Sequence, residues 1–108
     1  MKEVKIIFTG LFLISFSISS WSQNILKGTV KDSDNIPIIG ASVVLRTIND
    51  TLIYKGCLTD IDGHFSIEEI VDRKYILEIS FLGYEDYLKE ITVVGNTDIG
   101  IITLKKRI

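Results

Sequence analysis

The only thiol and the only imidazole of the chain, Cys57 and His64, are the first candidates for chemistry. They could act as a nucleophile and its base if their side chains lay within hydrogen-bonding distance. They flank a predicted turn, so two adjacent strands could bring them close. Such a pair usually needs a third, orienting group, and nothing nearby suggests an oxyanion hole or a substrate cleft. A single Cys is more often a small hydrophobic core residue. We therefore predict that the chain has no catalytic residues.

A short acidic motif, Asp60-Ile61-Asp62-Gly63, is similar to the start of a calcium-binding loop. An EF-hand continues to a Glu at its twelfth position, which here is Val71, and it needs flanking helices. A zinc site would need three or four Cys, His or carboxylate ligands. We interpret the two aspartates as turn residues whose side chains accept hydrogen bonds from nearby backbone amides. The sequence thus predicts no metal site and no cofactor.

Other charged motifs have simple interpretations. Neighbouring residues in a strand point to opposite faces, so Glu68-Glu69 and Glu85-Asp86 do not form acid–base pairs. The basic end, Lys105-Lys106-Arg107, is too short to indicate a membrane or nucleic-acid interface, and we expect it to keep the terminus soluble. The segment Asn49-Asp50-Thr51-Leu52 contains an N-x-T sequon and resembles a short O-glycosylation motif. Whether Asn49 or Thr51 is glycosylated stays open.

The N-terminus has the three parts of a secretory signal peptide. Lys2 and Lys5 precede the apolar run IIFTGLFLISFSI, and Ser20-Trp21-Ser22 supplies small residues at the spacing of a cleavage site. A membrane-spanning helix needs about 20 apolar residues, more than this run contains. We predict that residues 1–22 are a cleaved signal peptide and that residues 23–108 form the mature domain. No membrane span is expected after cleavage.

The mature segment would contain 86 residues, enough for one small domain. Loss of Lys2, Lys5 and Glu3 would leave ten basic and thirteen acidic residues, a net charge of −3. This mildly acidic balance argues against nucleic acid as a partner, because nucleic-acid binding requires basic patches. A single Cys cannot form a disulfide within the chain, so stability must come from packing.

Short β-forming runs separated by Gly, Asp and Asn predict seven strands and no helix. The strands are expected at residues 25–31, 41–48, 52–59, 64–70, 75–82, 84–93 and 99–105. Apolar and polar residues alternate in the clearest of these runs, which is typical of an antiparallel sheet with one buried face. Seven short strands separated by regular turns predict an all-β fold, a seven-stranded antiparallel Greek-key sandwich.

Two of the predicted strands have a well-defined apolar face. One face consists of Ala41, Val43 and Leu45, and the other consists of Tyr75, Leu77, Ile79 and Phe81. We expect both faces to lie in the core. Deleting a buried Phe side chain typically costs about 3–5 kcal/mol, so Phe81→Ala is predicted to be among the most damaging single changes.

Three sequence blocks resemble carboxypeptidase regulatory-like domains, which have a transthyretin-like fold. The first block is GTVKD at residues 28–32 followed by IPIIGASV at residues 36–43. The second, TDIDGHFSI at residues 59–67, matches the family's T-D-x-x-G-x-F turn, and the third, ISFLGY at residues 79–84, matches its strand ending in G-Y. The sequence departs from the pattern at Asn35, where the family often has Gly before the Pro.

The resemblance implies a Greek-key sandwich of about seven strands. In Bacteroidetes such domains commonly stand at the N-terminus of TonB-dependent outer-membrane receptors, ahead of a plug and a barrel. The 108 residues contain no plug, barrel or peptidase domain, so the resemblance implies neither transport nor peptidase activity. It leaves open a free-standing relative or the front of a truncated receptor, in the periplasm, at the outer membrane or secreted.

Three hypotheses about function come from different classes. The leading one is a non-enzymatic module that docks to protein partners of the cell envelope, with its exposed sheet edges available for β-augmentation. The second is a carbohydrate- or surface-binding adhesion module, which needs an exposed aromatic platform built from Tyr54, Tyr75, Tyr84 or Tyr87. The third is a small hydrolase, which would need a polar cluster of His and Arg that the sequence does not contain. The sequence does not identify the docking strand.

Overall fold

The computed structural model describes residues 24–108, so the predicted signal peptide (residues 1–22) and Gln23 lie outside the described residues. The described part consists of seven strands joined by turns. They are β1 (Asn24–Asp32), β2 (Ser42–Thr47), β3 (Ile53–Leu58), β4 (His64–Ile70), β5 (Arg73–Ser80), β6 (Tyr87–Val93) and β7 (Thr97–Leu104). Each overlaps one predicted run. No helix long and apolar enough to cross a membrane occurs among residues 24–108.

The strands form two sheets that pack face to face as a sandwich. One sheet has the order β4-β1-β7 and the other has the order β3-β2-β5-β6. The all-β, seven-stranded sandwich is therefore confirmed. The purely antiparallel pairing is wrong at one place, because β1 and β7 run parallel while the other four pairs are antiparallel. No hairpin joins β1 to β7, so nothing local in the sequence fixes their relative direction.

The core lies between the two sheets, where the alternating apolar residues of β2 and β5 face the second sheet. Val43 is paired with Ile79 and Leu45 with Leu77 across the β2–β5 ladder, and all four side chains are fully buried. Tyr75 is also fully buried, and so is Ala41 just before β2. The two predicted apolar faces are thus correct up to Ile79.

Phe81 does not continue the apolar face of β5. The strand ends at Ser80, and Phe81 is 36% exposed. Its carbonyl accepts a hydrogen bond from the Tyr84 backbone N–H at 3.0 Å, which closes a turn. Strict alternation holds only within a strand, so the turn moves Phe81 away from the core. The prediction that Phe81 is a core residue is wrong.

Three of the four edge strands are interrupted by an extra residue. The β1–β4 ladder shifts register opposite Glu68 and Glu69, and Glu69 has a φ of 59°. The β1–β7 ladder shifts near Gly100, and the β2–β3 ladder shifts near Tyr54. The β5–β6 ladder has seven consecutive one-to-one pairs. Within residues 24–108, β6 is therefore the one regular edge.

Candidate functional site

Thr59 holds the segment before β2 against the end of β3. Its hydroxyl donates a hydrogen bond to the carbonyl of Ile38 at 2.6 Å and accepts one from the backbone N–H of Ala41 at 2.8 Å. Backbone bonds from Thr59 N–H to Ala41 O and from Gly40 N–H to Thr59 O, each 3.0 Å, reinforce the contact. Since Thr59 is only 4% exposed, its hydroxyl serves the fold and is not available to a ligand.

Asp60 organises the turn that follows. Its Oδ1 accepts hydrogen bonds from the backbone N–H groups of Asp62 and His64, each at 2.9 Å. The Gly63 backbone N–H also donates to the Asp60 carbonyl at 2.9 Å. This is the local side-chain-to-amide bonding that the turn interpretation requires.

Gly63 and Gly28 are required because other atoms occupy the space of their missing side chains. Gly63 has a φ of +76°, and a Cβ atom there would lie 2.4 Å from the carbonyl oxygen of Val30. At Gly28 a Cβ atom would lie 2.8 Å from the ring of Phe65 and from the side chain of Ile99. Phe65 is 3% exposed and belongs to the core. The residues that carry the family resemblance therefore act in turns and packing.

Asn35 occupies the loop between β1 and β2 with a left-handed backbone, at a φ of 66°. Asn tolerates this region better than most residues other than Gly. The Oδ1 atom of Asp32 stabilises the loop by accepting hydrogen bonds from the N–H groups of Asp34 and Ile36 at 2.8 and 3.0 Å. Asn at this position is thus compatible with the backbone that a Gly would adopt.

Asp60, Asp62 and His64 form the one group of three metal-ligating side chains found among residues 24–108. One potential ligand atom from each lies within 4.8 Å of the others, and all three residues are exposed. One carboxylate oxygen of Asp60 is already engaged by two backbone amides. The absence of a metal site and of a cofactor remains a prediction at this turn.

Cys57 and His64 face different surfaces. Cys57 is paired with Val43, whose side chain is fully buried, and it packs against the core. His64 is exposed and precedes the buried Phe65, so it points away from the core. Burial raises the pKa of the Cys57 thiol, and a backbone hydrogen bond with Ser66 opposes that shift. A higher pKa leaves less thiolate at neutral pH, which does not favour a nucleophile.

The aromatic residues do not form an open platform. Tyr75 is fully buried and stacks on Tyr54, with ring centroids 5.2 Å apart and planes inclined by 12°. Tyr84 and Tyr87 are partly buried against the core. The ring of Phe81 meets that of Tyr84 at a centroid distance of 5.9 Å. None of the four tyrosines offers the fully exposed face that sugar stacking needs.

The basic residues 105–107 make specific contacts with the β5–β6 connection. Lys106 pairs with Tyr84 in an isolated antiparallel bridge. The guanidinium of Arg107 donates a hydrogen bond from Nε to the Tyr84 carbonyl at 3.0 Å and lies 3.8 Å from the carboxylate of Asp86. Arg107 is thereby fixed beside the β5–β6 connection. The sequence interpretation missed this role because the bridge joins segments that no local pattern links.

One side of the sandwich is closed by a lysine. Lys55 on β3 is half-buried, and its Nζ donates to the carbonyls of Glu68 and Glu69 on β4, at 2.8 and 2.6 Å. These two carbonyls lie at the β4 bulge and are satisfied by the ammonium group. The edge strands β3 and β4, one from each sheet, are therefore tied together, while β6 and β7 are the other two edge strands.

The candidate site is the free side of β6, here called the β6 edge (Tyr87–Val93). β6 is last in its sheet and hydrogen-bonds only to β5. Leu88, Lys89 and Glu90 at its centre are exposed. An unpaired row of backbone N–H and C=O groups is a template for an additional strand. The β6 edge therefore has main-chain groups that an extended segment could pair with.

Comparison with known proteins identifies the family. The sequence profile described as the CarboxypepD_reg-like domain matches residues 26–108, nearly all of the described chain. The chain belongs to the CarboxypepD_reg-like domain family. The blocks GTVKD, TDIDGHF and FLGY fall within the matched region, so the resemblance seen in the sequence is confirmed.

Curated relatives of this CarboxypepD_reg-like domain are much longer receptors. The chain is 35% identical over 85 residues to the TonB-dependent receptor SusC of Bacteroides thetaiotaomicron, covering 78% of this chain and 8% of the receptor. It is 33% identical over 85 residues to the TonB-dependent receptor P39 of Formosa agariphila, covering 72% of this chain and 8% of the receptor. The chain thus spans under a tenth of the length of these relatives.

Solved structures similar to the CarboxypepD_reg-like domain share its fold at low sequence identity. The major pilin subunit BcpA of Bacillus cereus matches with a TM-score of 0.67 and 15% identity, over 80% of this chain and 31% of the pilin. A 3-chlorocatechol 1,2-dioxygenase from Rhodococcus opacus matches with a TM-score of 0.63 and 16% identity, over 82% of this chain and 62% of the enzyme. These matches establish the sandwich fold alone.

Proposed function

We propose that this CarboxypepD_reg-like domain is an exported docking module of a TonB-dependent receptor or a close relative, and that it works by association at the cell envelope and not by chemistry. Its similarity to such receptors supports this role. The observation that carries the proposal is that the residues of the family motif are engaged within the fold. Thr59, Asp60, Gly63 and Phe65 are all engaged in turns and the core, which leaves backbone edges as the available binding surface.

The proposal is tested by site-specific photo-crosslinking of the exported chain in its native host. A photoreactive residue replaces one exposed side chain on each edge strand: Ile53 on β3, Ser66 on β4, Leu88 on β6 or Ile101 on β7. We expect one edge to give a discrete adduct with a single envelope protein. Docking would be contradicted if none of the four substituted edge strands gave more adduct than the unsubstituted chain.

A second variant separates docking from catalysis. The double variant Cys57→Ser with His64→Ala removes the thiol and the imidazole. Both residues lie on edge strands, β3 and β4, but the two side-chain changes leave the backbone groups of those strands in place. We expect it to form the same adduct in the same yield. A hydrolytic activity that is present in the parent and lost in this folded double variant would replace docking by an enzymatic function.

A further inference from the structure

The β6 edge differs from the other edges in the regularity of its backbone. All seven residues of β6 pair one-to-one with β5, whereas β3, β4 and β7 each contain an extra residue. A bulge twists an edge and interrupts its row of main-chain groups, which hinders the addition of another strand. Lys55 also occupies two carbonyls of β4. Within residues 24–108, the backbone geometry for strand addition is best at β6.

Residues 105–107 do not pair with β6. They pair with the connection that precedes β6: Glu85 N–H donates to Lys105 O at 2.7 Å, and Arg107 N–H donates to Gly83 O at 2.9 Å. This pairing is antiparallel. From Lys105 to Arg107 the paired position therefore shifts toward Gly83, and away from Tyr87 at the start of β6.

Two charges at the centre of β6 restrict what can bind there. Lys89 lies opposite the fully buried Leu77, so the two residues are on the face of the sheet that is turned toward the core. Glu90 lies opposite Ile76, on the other face. An added strand would partly desolvate both side chains, so a strand without charges would be penalised. A strand with an acidic residue opposite Lys89 and a basic residue opposite Glu90 would compensate both.

A second copy of β6 is a poor partner for the same reason. Suppose that the β6 strands of two copies pair antiparallel along their full length. The two-fold axis then lies at Glu90, the central residue of β6, and Glu90 lies opposite the Glu90 of the other copy. Moving the axis by one residue toward the start of β6 places Lys89 opposite its own copy. Like charges directly opposite each other destabilise strand pairing. The charge pattern thus favours a segment of different sequence.

We propose that the β6 edge binds an extended segment of a partner protein as an antiparallel fifth strand, and that this segment carries a basic residue followed directly by an acidic residue. The order follows from the antiparallel direction, since the partner passes Glu90 before it passes Lys89. The inference rests on the proposed docking function and specifies the partner's chemistry. Backbone hydrogen bonds would supply affinity, and the two charge pairs would supply selectivity.

The test uses synthetic seven-residue peptides and the exported chain. The matched peptide is TTVKEVT, and the control peptide TTVEKVT differs only in the order of its two charges. We expect the matched peptide to bind about tenfold more tightly in fluorescence anisotropy, since two attractive pairs replace two repulsive ones. Amide hydrogen exchange should slow in β6 and stay unchanged in β7.

Charge reversal on the protein provides the decisive control. The double variant Lys89→Glu with Glu90→Lys should prefer TTVEKVT over TTVKEVT, with the ratio inverted. A matched peptide with N-methylated backbone amides should lose binding. The inference is overturned if neither peptide binds, if the preference fails to invert, or if protection falls on another strand. Crosslinks at β3, β4 or β7 with none at Leu88 would refute the β6 assignment and leave the docking function standing.

Discussion

The hydroxyl of Thr59 accepts a hydrogen bond from the backbone N–H of Ala41 at 2.8 Å and so fixes the start of β2. The same hydroxyl donates to the carbonyl of Ile38, and Thr59 is buried. Thr59→Val should cost about 1–3 kcal/mol, because it leaves a buried N–H and a buried carbonyl without a partner. Thr59→Ser keeps the hydroxyl and is the control. Equal urea midpoints for the two variants would contradict this role.

Comparing Gly63 with Gly40 separates two effects of adding a side chain. One is the clash of the new Cβ atom with its surroundings, and the other is the strain of a left-handed backbone. Both have left-handed backbones, with φ of +76° and +77°, but only at Gly63 would a Cβ atom clash, at 2.4 Å from Val30 O. Gly40→Ala should lower the free energy of unfolding by about 1–2 kcal/mol, because a residue with a Cβ atom is strained in a left-handed backbone. Gly63→Ala should lower the free energy of unfolding by about 1–3 kcal/mol more than that, because β1 must also shift at Val30 to make room for the Cβ atom. Thermal unfolding of both variants measures the difference, and equal midpoints would refute the clash.

Leu77 and Phe81 should respond very differently to truncation. Leu77 is fully buried in β5, so Leu77→Ala should cost about 2–5 kcal/mol. Phe81 is 36% exposed and its main aromatic contact is Tyr84, so Phe81→Ala should lower the free energy of unfolding by less than Leu77→Ala does. For a domain of this size each kcal/mol shifts the melting temperature by about 4–8 °C. A larger loss at Phe81 than at Leu77 would overturn the face assignment.

Stability should fall at high pH through Tyr75. Burial raises the pKa of Tyr75 from its ordinary value of 10.0 to about 12, and the charge of Tyr54 adds to the shift. The folded state therefore holds this proton more tightly than the unfolded state. The resulting stabilisation is complete below about pH 10 and is lost as the pH rises through about 12. Ultraviolet titration should show a phenol ionising at about pH 12, and Tyr75→Phe should remove that component.

Calcium and zinc should leave the melting temperature unchanged. One Asp60 carboxylate oxygen already accepts two backbone hydrogen bonds, and Asp62 and His64 are exposed and well hydrated. Scanning calorimetry with each metal and with chelator tests this, because any ligand specific to the folded state raises stability. A metal-dependent rise that Asp62→Asn abolishes would reveal a site at this turn.

The sequence predicted the strands well because their determinants are local. Alternation across β2 and β5 marks the inward residues, and Gly63 marks a turn that needs a left-handed backbone. The failure at Phe81 came from extending the alternation one residue past the end of β5. Periodicity gives the inward face of a strand and says little about its last residue.

The candidate site was less predictable than the fold. Which strand is an edge depends on the order of strands in the sheets, and that order depends on contacts between distant segments. The contact of Lys55 with Glu68 and Glu69 joins strands across the two sheets, and the bridge between Tyr84 and Lys106 joins residues far apart in the chain. Neither leaves a local signature. The regularity of β6 is recognised only beside the bulges of the other edges.

The parallel pairing of β1 with β7 has a mechanical consequence. Because the two strands run in the same direction, Asn24 at the start of β1 and Leu104 at the end of β7 lie at opposite ends of the sandwich. Eight extended residues span about 25 Å. A pull on the chain between these points acts along both strands in opposite senses, so the hydrogen bonds between them are sheared together and are not unzipped one at a time. We therefore expect this pair of strands to resist a pull applied between Asn24 and Leu104 more strongly than an antiparallel pair loaded from one end would.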